Sequence, residues 1–376
     1  MDMLNEFRDM VQRFLQAEVE PNIEQWEADK LMPKSFWPVM GGAGLLLVDF
    51  EAEYGGAEAD FDVSLMVQEE MCRMGYHALA SAYNIHANIV APYILNMGTD
   101  AQKQQWLPGM ASGEIVTALG MTEPSAGSDL AALRTRAVRD GDDYIINGSK
   151  VFITNGIHAD MVVVAAKTDP DKGAKGVSLF LVDTSLPGFE KGKKIEKMGQ
   201  HSGDTAELFF SDVRVPADAL LGKEGHGFAY MMSERPRERL GVAVQAIGHV
   251  QGALDLTVDY VTERQAFGQP VAKFQNTRFK LAEAKTELEL CRALMEKCLA
   301  KFKRDEMTVE DAAMLKYAAT DMQVRVISEC LQLFGGYGYT DEYPISRFYR
   351  DARVQTIYAG STEIMKEIVA RSILGR

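Results

Sequence analysis

The sequence predicts an α+β protein in which a helical region (1–117) is followed by a β region (118–225) and a second helical region (226–376). Three observations lead there. Apolar residues recur every three or four positions toward both ends of the chain, whereas in the middle they fall in short runs separated by turn residues. The chain has 376 residues, 47% hydrophobic and 25% charged, which is too long for one small core and ordinary for a folded protein of two or three domains.

In the first region Leu4, Phe7, Met10, Val11, Phe14 and Leu15 follow helical spacing, and Pro21 punctuates them. Gly41-Gly42 and Gly55-Gly56 mark turns, and Val63 to Met74 reads as a further helix. From Met74 to Thr99 the chain carries no Asp, Glu, Lys or Arg. Such a run resembles a membrane span, but His77, Asn84, His86, Asn88, Pro92 and Asn96 suit hydrocarbon poorly, so a buried helix pair is expected.

In the middle region Tyr144-Ile145-Ile146, Asn147-Gly148 and Lys150 to Thr154 predict a hairpin turning at Asn-Gly. Met161 to Ala166, Val177 to Val182, Glu207 to Phe210 and Val213 to Val215 supply more strands, which together predict a small β-barrel or sandwich. Helical period returns after Gly227. Leu281, Ala284, Leu288, Cys291, Met295, Cys298 and Phe302 form one stripe, and Leu315, Ala318, Met322, Val326, Cys330 and Leu333 another, stopping at Gly335-Gly336. Long antiparallel helices of this kind make a bundle.

A net charge of −14 argues against nucleic acid or anionic membrane as a general partner. The four cysteines, Cys72, Cys291, Cys298 and Cys330, have no metal-ligand spacing. Cys291 and Cys298 share one helix roughly 10 Å apart, beyond disulfide reach. Reduced, buried thiols and a cytoplasmic location are expected. MDMLNEFRDM lacks the features of a signal peptide, and a processed mitochondrial-matrix protein stays open. There is no G-x-G-x-x-G after a strand, no P-loop lysine, no G-x-S-x-G and no H-E-x-x-H, and the six histidines are scattered, so no metal is expected.

The informative segment is MTEPSAGSD, Met121 to Asp129, with a hydroxyl at Thr122, a proline-anchored turn and an approachable backbone at Gly127-Ser128. Such a loop can donate to a ring edge or a phosphate, although alone it reads as a polar connection between domains. Four further blocks follow it: DYIINGSKVFITNG (143–156), ERQAFGQP (263–270), QLFGGYGYTDEYP (332–344) and RDARVQTIYAGSTEI (350–364). With these blocks in this order the chain resembles the acyl-CoA dehydrogenase family over essentially its whole length. KVFITNG, DTAELFF and EIMKEIVAR are most similar to long-chain members. Ser125 departs from the family's usual glycine but stays small.

The resemblance implies an N-terminal α-helical domain, a middle β domain and a C-terminal four-helix bundle, binding FAD and oxidising an acyl-CoA to the trans-2-enoyl-CoA in fatty acid β-oxidation. It implies FAD contacts from Met121, Thr122, Gly127 and Ser128, from Phe152 against the flavin ring, and from Thr154 near its reactive nitrogen. Arg264, Phe267, Gln275, Gln332, Gly335 and Gly336 match positions that reach a neighbouring subunit's FAD, and Ser361 and Glu363 match further FAD contacts. A homotetramer, a dimer of dimers, is therefore implied, with electron-transferring flavoprotein as the electron acceptor. Acyl-CoA oxidases share the fold but are usually longer at the C-terminus.

The reaction removes a proton beside the thioester carbonyl, so it needs a carboxylate base of raised pKa and donors to the carbonyl oxygen. Many members place that base in Tyr-Glu-Gly-Thr, where this chain has Tyr358-Ala359-Gly360-Ser361. Isovaleryl and long-chain members carry it on an earlier helix in a Glu-Arg-Leu context, matched here by Glu238-Arg239-Leu240. The resemblance thus assigns Glu238 as catalytic base. Ala359, through its backbone N–H, together with Gly360, Ser128 and Arg239, are assigned to the substrate. A surface carboxylate paired with Arg235, Arg237 or Arg239 is the plainer reading of Glu238.

The uncharged stretch is expected to line the acyl cavity, as in the family, and Lys191, Lys193, Lys194 and Lys197 are candidates for CoA phosphates if they are not a solvated turn. A catalytically silent FAD and acyl-CoA scaffold, and a dehydrogenase of carrier-protein-tethered acyl groups, stay open as alternatives.

Overall fold

The structure is a computed structural model that describes residues 2–375. The N-terminal helices are α1 (Asp2–Phe14), α2 (Ile23–Asp29), α3 (Phe36–Gly42), α4 (Phe61–Arg73), α5 (His77–Tyr83), α6 (Ala91–Met97) and α7 (Asp100–Ser112). A capping box between Thr99 and Gln102 starts α7.

The uncharged stretch is one continuous helix rather than the expected pair. A π-helical segment, Asn84–Val90, joins α5 to α6, and the backbone stays helical at both junctions. Some of the polar side chains of this helix bond sideways to other elements. Asn88 accepts from Ser64 at 2.7 Å, and the His86 ring meets Thr117 Oγ1 and Met110 O, each at 3.0 Å. Pro92 directly follows the π-helical segment, so its missing N–H falls where the continuous helix already departs from regular α-helical bonding. Among the described residues no helix is long and apolar enough to cross a membrane.

The middle region holds β1 (Thr117–Gly120), β2 (Arg136–Asp140), β3 (Asp143–Thr154), β4 (Met161–Lys167), β5 (Val177–Asp183), β6 (Phe189–Lys194), β7 (Thr205–Pro216) and β8 (Leu220–Leu221). They form one sheet in the order β6-β7-β3-β2-β4-β5-β8, with β1 parallel to β4. Only Arg136 and Lys167 pair β2 with β4, so the sheet folds there into two halves. Ile146, Leu208 and Val213 from one half meet Val162, Val164 and Phe180 from the other in a shared core. The alternate side chains of β4 and β5, including Val163, Ala165 and Leu179, pack instead into the N-terminal helical core. Both faces of these strands are therefore buried, which explains their unbroken apolar runs.

Asn147-Gly148 is not the predicted hairpin turn. β3 runs straight through it, and the turn lies at Gly141-Asp142, where Asp140 pairs with Asp143. Asn147 bonds across to Asp212 in both directions, at 2.9 and 2.8 Å, and the register with β7 slips at Gly148. A Cβ on Gly148 would meet Thr135 Oγ1 at 2.5 Å, so glycine here marks a bulge and close packing. The two runs from Glu207 to Val215 are likewise a single strand, β7.

The C-terminal region comprises α8 (Gly227–Glu263), α9 (Gln275–Phe302), α10 (Val309–Phe334), α11 (Ile345–Ala352) and α12 (Thr362–Leu374). A small hairpin, β9 (Gln265–Ala266) and β10 (Gln269–Pro270), joins α8 to α9. α10 packs on α8, α9 and α12 over a core that includes Leu288, Cys298, Leu315 and Ile327. At 37 residues α8 is about 55 Å long. Met231 near its start joins the N-terminal core, and Leu240 onward joins the bundle core. The helix therefore carries Glu238 to the junction of the two.

Candidate active site

The Thr122 loop is held from beneath by a buried ion pair. Lys150 Nζ reaches Glu123 Oε1 at 2.8 Å and Met121 O at 3.2 Å. Glu123 also accepts from the backbone N–H groups of Arg134 and Thr135. Burial pulls Lys150 down to about 8. Burial would raise Glu123, but Lys150 and the backbone donors outweigh it and hold the carboxyl below its usual range. The pair thus stays charged at neutral pH. Val151 N donates to Thr122 O at 2.9 Å, and Glu123 and Ala126 pair through their backbones. Met121 and Thr122 are half-buried, while Gly127 and Ser128 are exposed.

On the neighbouring end of β3, Phe152 is 64% exposed and has φ of 60°. The ring is thus uncovered, on a strained left-handed backbone, and not part of the core. Thr154, half-buried, lies two residues on.

A second cluster forms in the bundle. An open cavity of about 480 Å³ is lined by Tyr260, Arg264, Gln332, Gly335, Gly336 and Tyr337, among others. The Arg264 guanidinium lies 5.2 Å from the centre of the Tyr337 ring. Neither Gly335 nor Gly336 has any atom within 4 Å of where a Cβ would stand, and Gly335 has φ of 61° and ψ of −140°. A ligand can therefore approach their backbone closely. Phe267, at the tip of the β9–β10 hairpin, is 97% exposed with φ of 51°. Gln275 is exposed at the first turn of α9. The four sequence-predicted residues Arg264, Gln332, Gly335 and Gly336 thus share one groove.

Glu238 is not the arginine-paired surface carboxylate of the plainer reading. It is half-buried on α8 and accepts from Tyr93 Oη at 3.2 Å. Burial pushes its carboxyl up to about 7, opposed by Arg235, the Tyr93 bond and Arg239, and reinforced by Glu234. One turn earlier, buried Glu234 accepts from Asn96 Nδ2 at 3.0 Å. Tyr93 and Asn96 both belong to α6, so the uncharged helix runs directly beside Glu238.

Arg239 is buried, and its Nη1 donates to Val309 O at 3.4 Å. Burial and then Arg235 lower it to about 10, which leaves it charged at neutral pH. Its guanidinium also lies 4.0 Å from where a Gly360 Cβ would stand. The residue after Glu238 thus reaches the 358–360 segment. In that segment Ala359 is exposed with φ of 52°, and Gly360 has φ of 92°. Ser361 caps α12 by accepting from Ile364 N at 3.4 Å, and Glu363 is exposed in the first turn of that helix.

The lysine run is part of β6 and the loop after it, not a solvated turn. Lys191 Nζ donates to Ile157 O and Ala159 O, and Lys197 Nζ to Gly203 O. Those two lysines tie loops together, while exposed Lys193 and half-buried Lys194 of strand β6 make no hydrogen bond or ion pair among the described residues.

Three family models match the chain in succession: the acyl-CoA dehydrogenase N-terminal domain over residues 2–114, the middle domain over 118–213 and the C-terminal domain over 225–374. The chain belongs to the acyl-CoA dehydrogenase family. Its activity is that of an acyl-CoA dehydrogenase, an oxidoreductase acting on a CH–CH group. It is similar to the long-chain specific mitochondrial acyl-CoA dehydrogenase of Rattus norvegicus, at 45% identity over 370 residues, 98% of this chain and 86% of that protein. The crystal structure of an acyl-CoA dehydrogenase from Geobacillus kaustophilus matches with a TM-score of 0.97 at 46% identity, covering 99% of this chain and 98% of that one. A glutaryl-CoA dehydrogenase from Mycobacterium smegmatis, solved in complex with FADH2, matches with a TM-score of 0.94 at 29% identity, covering 100% and 95%.

The residues of this acyl-CoA dehydrogenase suit a flavin dinucleotide. Phe152 offers an uncovered aromatic face, Thr122 and Thr154 offer hydroxyls, and Gly127 has open space around it. The bundle groove supplies a guanidinium at Arg264 and bare backbone at Gly335-Gly336, the donor set that a pyrophosphate and adenosine need. Sequence reading missed Tyr93, the Lys150–Glu123 pair and Lys316. Tyr93 sits at core spacing in an uncharged helix and carries no signal of its own. Lys316 had one: a charge within the apolar stripe of α10, where Ala312, Ala319 and Met322 are all buried.

Proposed function

We propose that this dehydrogenase uses FAD to convert a long-chain acyl-CoA to its trans-2-enoyl-CoA, with Glu238 as the base. One observation carries the reading: a carboxyl raised by burial to about 7, bonded to Tyr93 of the uncharged helix, and followed in α8 by Arg239, which reaches toward Gly360. A base with a pKa near working pH is both available and strong enough to abstract a proton.

In this reading Glu238 takes the proton from the carbon next to the thioester carbonyl. Ala359 N–H, which makes no hydrogen bond among the described residues, donates to the carbonyl oxygen as negative charge develops there. When bound, FAD supplies the hydride acceptor for the next carbon. Phe152, Thr154 and the Thr122 loop, held by Lys150 and Glu123, would hold the flavin.

Arg264, Phe267, Gln275, Gln332, Gly335 and Gly336 serve the FAD of a neighbouring subunit in a tetramer built from dimers. The near-complete exposure of Phe267 on a rigid hairpin supports that assignment, since a bare aromatic at a tip gains nothing in a monomer. Electron-transferring flavoprotein is the acceptor that the family resemblance implies. Long-chain preference rests on the 45% identity to the rat relative. The test is an anaerobic screen of acyl-CoA chain lengths against the yellow protein. Flavin bleaching that is fastest with long chains supports the reading, and none with any length overturns it.

A further inference from the structure

Lys316 has no exposed surface, and it lies on the inward face of α10 among Ala312, Ala313, Ala319 and Thr320. Its ammonium donates to Gln355 O and to Gly360 O, each at 2.7 Å. Among the described residues no carboxylate bonds to it. Burying an ammonium on carbonyls alone is unfavourable against a methionine of similar volume, so packing does not explain this residue.

What it grips is informative. The two carbonyls bracket residues 356–359, and at the end of that bracket Ala359 and Gly360 are successive residues of positive φ, 52° and 92°. Alanine resists that conformation. Gln355 is itself anchored, its side-chain amide meeting the His77 ring and lying 3.3 Å from Gln245 Oε1. One end of the segment is thereby fixed to α5 and α8, and both ends to α10.

We propose that Lys316 is a positioning residue that holds Ala359 in its left-handed conformation, with the backbone N–H free for the thioester oxygen. The inference rests on the reading that Ala359 N–H binds that oxygen. Arg239 Nη2 lies 4.0 Å from where a Gly360 Cβ would stand, so two buried basic side chains flank the residue after Ala359.

The test uses the FAD-loaded enzyme as wild type, Lys316→Met and Lys316→Gln. Circular dichroism and flavin content establish folding. Steady-state kinetics separate kcat from KM, and difference vibrational spectroscopy reads the carbonyl stretch of a bound enoyl-CoA labelled with carbon-13 at the thioester carbon. In Lys316→Met the expected loss in kcat is roughly tenfold to a hundredfold, with KM changed less than about threefold. The shift of the carbonyl band to lower frequency on binding should fall below about half the wild-type shift, because a misplaced donor polarises it less. Lys316→Gln, which keeps N–H donors but loses the charge and some reach, should fall between. A Lys316→Met enzyme with wild-type kcat and carbonyl shift overturns the proposal. So does failure of both variants to fold, which would make Lys316 a framework residue. If wild type itself shows no carbonyl shift, the reading of Ala359 fails first, and the clamp has nothing to position.

Discussion

Tyr93 Oη donates to Glu238 Oε1 across 3.2 Å, tying the uncharged helix α6 to α8 at the proposed base. Burial, and then the charge of Glu238, keep the Tyr93 hydroxyl well above its ordinary pKa, so it remains a donor at any working pH. A donor to the ionised form lowers a carboxyl's pKa. Tyr93→Phe removes the donor and keeps the ring, so Glu238 should titrate higher, by about one pH unit. The acid limb of the flavin-reduction rate, expected near pH 7 in wild type, should move up accordingly. The variant should be several-fold slower at pH 7 and close to wild type at pH 9. An unmoved limb would show that the bond does not tune the base.

The raised pKa of Glu238 also makes a prediction about stability. Its folded value of about 7 lies above the 4.5 of a free carboxyl, so the folded state holds the proton more tightly. Stability from that difference is complete below about pH 4.5 and is lost as pH rises through about 7. Glu238→Gln abolishes the titration. It should therefore stabilise the protein at pH 8, on the order of 1 to 3 kcal/mol, and hardly at all at pH 4.5. Thermal melts of both proteins at the two pH values check this.

Lys150 and Glu123 make a buried pair whose removal should be asymmetric. Lys150→Met leaves Glu123 buried beside its backbone donors but without its cation, and should cost about 3 to 5 kcal/mol. Lys150→Met with Glu123→Leu should recover part of that loss. Both should retain FAD less well than wild type, because Lys150 also holds Met121 O under the Thr122 loop. Melting temperature and flavin content after gel filtration distinguish stability from cofactor loss.

Phe267 should matter to assembly rather than to the fold of one chain. It is 97% exposed, so Phe267→Ser should change far-UV circular dichroism little. It should shift the mass in solution toward smaller species and lower FAD retention. A variant that stays assembled and fully yellow would remove Phe267 from the shared cofactor site.

The fold was legible where the chemistry is periodic. The stripes of α9 and α10 read directly, because each buries one face over seven or eight turns. The β region read less well where local signals met tertiary constraint. Asn147-Gly148 has hairpin chemistry, but pairing of Asn147 with Asp212 and the tight fit of Gly148 against Thr135 turn it into a bulge. The groove containing Arg264 and Gly335-Gly336 was accessible only through a resemblance, since an exposed arginine and a helix stop have ordinary explanations. Tyr93 lay beyond both routes, and the charge of Lys316 within an apolar stripe marked the residue but not what it holds. Their partners are 145, 39 and 44 residues away, and no local pattern encodes such contacts.

The central claim is that Glu238 abstracts the proton, and anaerobic stopped-flow bleaching of the flavin in Glu238→Gln tests it most directly. The variant should remain folded and yellow and should bind acyl-CoA, while bleaching slows by roughly a hundredfold to ten-thousandfold. Bleaching at the wild-type rate would contradict the claim.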